Sequence, residues 1–212
     1  MRNVEIEIKF SVKEKWVADA IVADPLFSGP GAESPWEVIP VKALYYDTVD
    51  QDLHKAGIMY RVRSEGAKQV ATIKKGGDPK SNFQRRQEWN VEVSSLEPDI
   101  SLFKDTKICR ELEAISGKGI LHPVFSCVFE RRFIVLTLER ETQVELAVDN
   151  GHIFAGNLTE PVCELELELK QGDPEVMLLM AERIAKKYGL TPEPRSKYTR
   201  GLALVQSLNL QG

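Results

Sequence analysis

Charged residues recur at a step of two along this chain. Glu5, Glu7 and Lys9 do so, as do Arg61 and Arg63, and later Glu164, Glu166, Glu168 and Lys170. In an extended strand a step of two puts side chains on one face. Thr72 and Lys74, then Arg86, Glu88, Asn90 and Glu92, then Glu145 and Asp149, follow the same rule. The intervening positions are apolar: Val4, Ile6, Ile8 and Phe10; Ala71 and Ile73; Trp89, Val91 and Val93; Val144, Leu146 and Val148; Leu165, Leu167 and Leu169. The charged faces are also sorted by sign. Carboxylates gather on the first strand and the last two, and arginine and lysine on the strands between. Carboxylate oxygens bind Mg²⁺ or Mn²⁺, and arginine and lysine bind phosphoryl oxygens, arginine bidentately. The combination suits a metal–polyphosphate complex.

Such faces need elements to bring them together. Strands are predicted at 4–10, 41–48, 57–64, 68–75, 84–94, 124–140 and 162–170, the long one bent or bulged near Arg131-Arg132. A hairpin of 142–149 and 151–156 is predicted around Asn150-Gly151. Residues 24–40 read as a loop, and 75–82 as a flexible segment able to flap over a tunnel mouth. Helices are predicted at 13–23, with Trp16, Val17, Ala20 and Ile21 on one side, and within a helical interlude at 98–119, best at 106–116. A further helix opens at Asp173-Pro174-Glu175, with Asp as N-cap, carries Val176, Met180 and Ile184 as its stripe, and ends at Gly189. A last helix runs from Lys197 to about Leu208. Each strand alone reads as a sheet with a solvated charged face. Together, about eight strands suffice for a closed barrel. Helices covering its apolar outside leave the charges within, where they require water, ions and a ligand. The fold class expected is α+β: a closed antiparallel barrel with helices packed outside, one domain over 1–212.

Composition agrees with a globular chain: 212 residues, 42% hydrophobic and 28% charged. The net charge of −4 conceals 28 basic and 32 acidic residues, so nothing global favours nucleic acid or an anionic membrane. The sequence predicts no secretory leader and no membrane span. Cys109, Cys127 and Cys163 fit neither a disulfide framework nor a zinc site, and read as reduced thiols in a cytoplasm. His54, His122 and His152 are scattered, and Lys75-Gly76-Gly77 lacks Walker spacing.

Glu5-x-Glu7-x-Lys9 resembles the ExExK motif of CYTH domains, the triphosphate tunnel metalloenzymes. The likeness continues in order through Tyr45-Tyr46-Asp47-Thr48, Arg61-x-Arg63, Thr72-x-Lys74, Arg86-x-Glu88, Glu164-x-Glu166-x-Glu168 and Ser196-Lys197-Tyr198. It is greatest to the CYTH portion of bacterial inorganic triphosphatases, without the helical CHAD domain that some of these carry. The resemblance implies a tunnel with its site inside. Glu5 and Glu7, two of Glu164, Glu166 and Glu168, and Asp149 or Glu145 would hold Mg²⁺ or Mn²⁺. Lys9, Arg61, Arg63, Lys74, Arg86, Lys197 and either Arg131 or Arg132 would grip phosphates, with Lys9, Arg61 and Arg63 at the reacting group. It implies metal-assisted transfer of a phosphoryl group to water. Inorganic triphosphate is the expected substrate, because no aromatic set dedicated to stacking a base is identifiable and Trp89 lies on an apolar face. A class IV-type adenylyl cyclase, a thiamine triphosphatase and a non-catalytic polyphosphate-binding module are the alternatives. The partner expected is a small-molecule triphosphate, with no nucleic acid and no membrane, in a monomer or homodimer.

Overall fold

A strand that alternates charge with apolarity can bury one face against helices and turn the other inward, and eight strands close round such an interior. The computed structural model describes residues 4–28, 31–78, 80–103, 106–117 and 120–210. Met1-Arg2-Asn3, Gly29 and Pro30 of the predicted loop, Pro79 of the predicted flexible segment, and Lys104, Asp105, Lys118 and Gly119 of the helical interlude lie outside them. The strands are β1 (Val4–Ser11), β2 (Glu37–Asp47), β3 (Ile58–Glu65), β4 (Lys68–Lys75), β5 (Phe83–Glu92), β6 (His122–Leu138), β7 (Thr142–Ala155), β8 (Leu158–Gln171) and the two-residue β9 (Thr191–Pro192). The helices are α1 (Lys15–Val22), α2 (Asp52–Lys55), α3 (Thr106–Ser116), α4 (Pro174–Tyr188) and α5 (Lys197–Asn209). Going round, the order is β1-β5-β4-β3-β2-β6-β7-β8 and back to β1, every pairing antiparallel. The closed eight-strand barrel expected from the sequence is therefore observed.

Two apolar clusters lie outside the strands. Ile8, Phe10, Leu146 and Leu165 pack with Val17 and Ile21 of α1 and Met177, Ala181 and Ile184 of α4. Tyr60, Val62, Ala71 and Ile73 pack with Ile108 and Leu112 of α3, and Trp89 joins them as packing. Of the expected stripes Val17, Ile21 and Ile184 are buried; Trp16 is instead exposed while Ala18 is buried, and α4 buries Met177 and Ala181 more fully than Val176 and Met180. Asp173 does cap α4, accepting from Glu175 N at 3.0 Å.

A third cluster corrects the expectation of a wholly charged interior. Val41, Ala43 and Tyr45 of β2 and Phe125, Cys127 and Phe129 of β6 pack with Leu202 of α5. They share these strands' inward parity with Arg131, so α5 closes one end of the barrel rather than lying outside it like α4. Gly201 makes this approach possible: a Cβ there would stand 2.1 Å from the Phe125 ring.

Three local expectations fail for identifiable reasons. Asn150-Gly151 is no turn; β7 runs straight through it, paired to β6 and β8 on both sides. Gly151 is needed for close strand approach, since a Cβ would lie 2.2 Å from the Val128 carbonyl oxygen. The hairpin turns instead at Gly156-Asn157, with Gly156 at φ 56°. Likewise the register runs unbroken past Arg131 and Arg132; the irregularity in β6 pairing falls opposite Tyr45/Tyr46. β2 starts at Glu37, within the predicted loop, because the long β6 offers it partners as far as Phe133.

Candidate active site

Inside the barrel lies a cavity of about 390 Å³. The β1 parity predicted from the sequence holds: Glu5, Glu7 and Lys9 all face it. Register then arranges the neighbours. Glu5 is opposite Arg86, Glu7 opposite Glu168 and Lys9 opposite Glu166. Arg61, Arg63 and Lys74 line the far wall, with Arg131 and Glu145 between. Lys197 enters from the first turn of α5, whose N-cap Ser196 accepts from Thr199 N at 3.0 Å.

Most of these charges are paired. Lys74 Nζ donates to Glu5 Oε1 at 2.5 Å. Arg86 bridges Glu5 Oε2 and Glu7 Oε1, each at 2.6 Å. Arg131 chelates Asp149 at 2.8 and 2.7 Å and reaches Glu166 Oε2 at 2.6 Å. Lys197 Nζ donates to Asp149 Oδ2 at 2.8 Å and Glu166 Oε1 at 2.9 Å, and contacts Glu164. Others are left short. Lys9 Nζ has only the Arg195 carbonyl at 2.7 Å, and Arg61 leans on the Tyr45 phenol. Among the described residues no carboxylate lies within ion-pair distance of either. Arg63 pairs with Glu65, yet the buried Nε atoms of both Arg61 and Arg63 have no hydrogen-bond partner. Burial, then the charges of Arg61 and Arg131, pushes the Arg63 guanidinium down to about 10.

The acids show the matching deficit. Burial would raise Glu5, but Lys74 and Arg86 hold it well below the usual carboxylate range. Glu166 is held low by Lys197 and Arg131 against the same burial. Glu7 goes the other way: burial, Glu5 and Glu166 push its carboxyl up despite Arg86 and Lys74. Glu168 is likewise raised, by burial and then by Glu5 and Glu145, despite Lys170. Burial and neighbouring carboxylates oppose ionisation of Glu7 and Glu168, and the closely set oxygen donors of this face suit an added hard cation.

The structure sorts the predicted residues. Lys9, Arg61, Arg63, Lys74, Arg86, Arg131, Lys197, Glu5, Glu7, Glu166 and Glu168 share the cavity wall. Arg132 does not; it points outward and binds Asp19 of α1 at 2.7 Å, because Arg131 faces inward opposite Asp149. Asp149 and Glu164 are wholly buried and lie behind the cavity wall. With Glu166 they form a cluster whose ligand oxygens lie within 4.8 Å of one another, but Lys197 already contacts all three. Asn90 accepts from Thr72 at 2.7 Å and donates to Glu88.

Several wall residues escaped the sequence reading. Tyr45 stacks on Phe125 at 4.4 Å and lines the cavity with Phe129, Tyr198 and His54, an aromatic side that strand parity alone does not announce. His54 is fixed on the cavity wall by the Asp47 carboxylate, which accepts from Leu53 N at 2.9 Å and His54 N at 3.0 Å at the start of α2. Gln84, two positions before Arg86 on the same face, ties its amide to the Asp78 and Ser81 carbonyls at 2.6 and 2.5 Å. Its side chain thereby holds Asp78 and Ser81 near Gly76 and Gly77, which line the cavity.

The CYTH domain family model matches residues 3–202. The chain belongs to the CYTH domain family. Within reach of this CYTH chain is the inorganic triphosphatase of Haemophilus influenzae, 29% identical over 160 residues, which are 76% of this chain and 44% of that protein. The chain thus spans less than half the length of that relative. Among solved structures, a candidate adenylyl cyclase from Hippeastrum with a dominant triphosphatase activity matches at TM-score 0.63 and 18% identity, covering 94% of this chain and 95% of that one. A candidate adenylate cyclase from Bacillus halodurans matches at 0.56 and 18%, covering 92% and 95%. At such identity these two share the fold with the CYTH chain. No helix among the described residues is long and apolar enough to cross a membrane.

Proposed function

We propose that this CYTH chain is a divalent-metal-dependent triphosphatase that cleaves inorganic triphosphate to pyrophosphate and phosphate inside the barrel. One observation carries the reading: incompletely partnered guanidiniums and closely set carboxylates face one cavity. Buried Arg61 and Arg63 keep unpartnered donors, while burial first, and then the carboxylates of Glu5 and Glu166, push the Glu7 carboxyl up. A metal–triphosphate complex supplies a partner to each.

In this reading Glu5 and Glu7, with Glu166 across the β1–β8 ladder, hold Mg²⁺ or Mn²⁺. Bound there, the ion supplies Lewis-acid polarisation of phosphoryl oxygens and a water of lowered pKa. Lys9, Arg61 and Arg63 take the non-bridging oxygens of the phosphoryl group under attack. Their donors are fixed by buried packing before substrate arrives, the arrangement that stabilises developing charge most. Lys74 and Arg86, which pair with Glu5 and Glu7, transfer to phosphate oxygens and offset charge on the leaving pyrophosphate. Arg131 and Lys197 stay with Asp149 and Glu166 and fix the acid wall. The unpaired thiols of Cys109, Cys127 and Cys163 favour a reducing, cytoplasmic setting.

The alternative is conversion of ATP to cyclic AMP, for which the aromatic side of the cavity would have to offer a base-stacking surface. Tyr45 and Phe129 are nearly fully buried and pack with α5, which makes them a plug rather than an open stacking surface. The test is phosphate release from inorganic triphosphate, ATP and thiamine triphosphate with Mg²⁺ or Mn²⁺, with cyclic AMP followed in parallel. Fast metal-dependent release from inorganic triphosphate is expected, falling at least about 100-fold in Glu5→Gln, a scale that outer metal-site changes alone reach. Cyclic AMP with pyrophosphate would transfer the assignment to a cyclase. Binding of polyphosphate without turnover would leave a binding module.

A further inference from the structure

The carboxylates at the cavity fall into three groups, and the cations that hold them differ in position. Glu5, Glu7 and Glu88 are held by Lys74 and Arg86. Asp149, Glu164 and Glu166 are held by Lys197, with Arg131 on the first and last and Arg200 3.5 Å from Glu164. Of these bases Lys74, Arg86, Arg131 and Lys197 line the cavity, and an entering anion meets Lys74 and Arg86 directly.

Glu145 and Glu168 form the third group. They are register partners across β7 and β8, and both line the cavity. Lys170 Nζ lies 2.9 Å from Glu145 Oε2 and 3.0 Å from Glu168 Oε2. Arg131 Nη1 stands 3.5 Å from the other Glu145 oxygen. Lys170 is not part of the cavity wall, and its side chain is 35% exposed. Its ammonium bridges these two wall carboxylates from a position that is not itself on the cavity wall. Two inward carboxylates on adjacent strands are an arrangement that a divalent ion bridges through oxygen. Here one ammonium bridges them instead.

We propose that Lys170 is a built-in cation for the Glu145–Glu168 pair, standing in for a divalent ion and keeping that pair free of metal. The proposal rests on the metal-dependent reading above only for the choice of ion. It makes Lys170 a determinant of how many metal ions the barrel holds, and leaves the positive charge at this pair independent of metal supply.

The experiment is a Mn²⁺ titration of the full chain without triphosphate, counting bound ions by electron paramagnetic resonance. Lys170→Met is expected to bind one more Mn²⁺ per chain than wild type. Lys170→Arg, which keeps the charge, is expected to match wild type, and Lys170→Met/Glu145→Gln to lose the added ion. Equal counts for wild type and Lys170→Met overturn the proposal, as does an added ion that survives Glu145→Gln. A wild-type count of zero would sink the metal in the proposed function, yet the difference between wild type and Lys170→Met still decides this proposal. Should Lys170→Met fail to fold by circular dichroism, Lys170→Gln removes the charge with a polar side chain and is read in the same way.

Discussion

Glu7, like Glu168, is a side chain on which burial and like charge act in the same direction. Its folded pKa lies above the unfolded value, through burial, Glu5 and Glu166. As pH rises, the unfolded chain releases this proton first, so stability falls through the folded pKa and the full cost is present at higher pH. Below the ordinary carboxylate range the cost vanishes. Glu7→Gln keeps the shape and removes the charge. Its melting temperature is therefore expected to exceed that of wild type at pH 8 in the absence of metal, with the gap closing towards pH 4, while triphosphate turnover is lost. A thermal scan across pH that finds Glu7→Gln less stable at pH 8 would contradict this account. Strand parity made Glu7 legible from the sequence, with Glu5, Lys9, Arg61, Arg63, Lys74 and Arg86. It did not separate Arg131 from Arg132, because a shift of one residue reverses the face and only the pairing of Arg131 with Asp149 fixes it. Nor did parity give depth along the barrel, which is why Glu164 shares a face with Glu166 and Glu168 but lies behind the wall.

At the scale of elements, the informative failure is Asn150-Gly151. The dipeptide favours a tight hairpin locally, but the ladders on both sides of β7 override that preference. Gly151 serves the approach of β6, where an added Cβ would stand 2.2 Å from the Val128 carbonyl oxygen and 2.5 Å from Phe129 Cα. Backbone cannot give way as a flexible side chain does. Gly151→Ala is expected to cost about 3 kcal/mol or more, the upper end for overpacking, measured by urea unfolding. Gly57→Ala serves as the comparison, since nothing lies within 4 Å of a Cβ there although its φ is 69°, and strain alone should cost it about 1 kcal/mol. Helix α5 was legible as a helix but not as a plug. Its stripe says that one side is buried, whereas its target depends on the inward apolar side chains of β2 and β6, Ala43, Tyr45, Phe125 and Cys127 among them. Those positions interrupt the charged pattern, and in the sequence they read as ordinary strand hydrophobics.

On the scale of the whole molecule, the sorting of charge by strand made the closed barrel readable, because no open sheet accounts for so many long charged side chains of segregated sign facing one way. Closure itself depends on β1, which pairs with β5 on one side and β8 on the other. Ile8 faces Phe83 in one ladder and Leu167 in the other, so the last contacts to form link widely separated parts of the chain. Refolding should accordingly fall in the millisecond-to-second range of non-local β proteins, which stopped-flow tryptophan fluorescence would measure; a microsecond phase carrying the full amplitude would refute it. The same keystone has a consequence on the ribosome. At about 5–20 residues per second, β1 emerges and then waits roughly ten to thirty seconds for β8. Throughout that interval its apolar edge is open to any neighbouring strand, and Glu5, Glu7 and Lys9, before they serve any ligand, are the charges that keep a newborn chain from joining another.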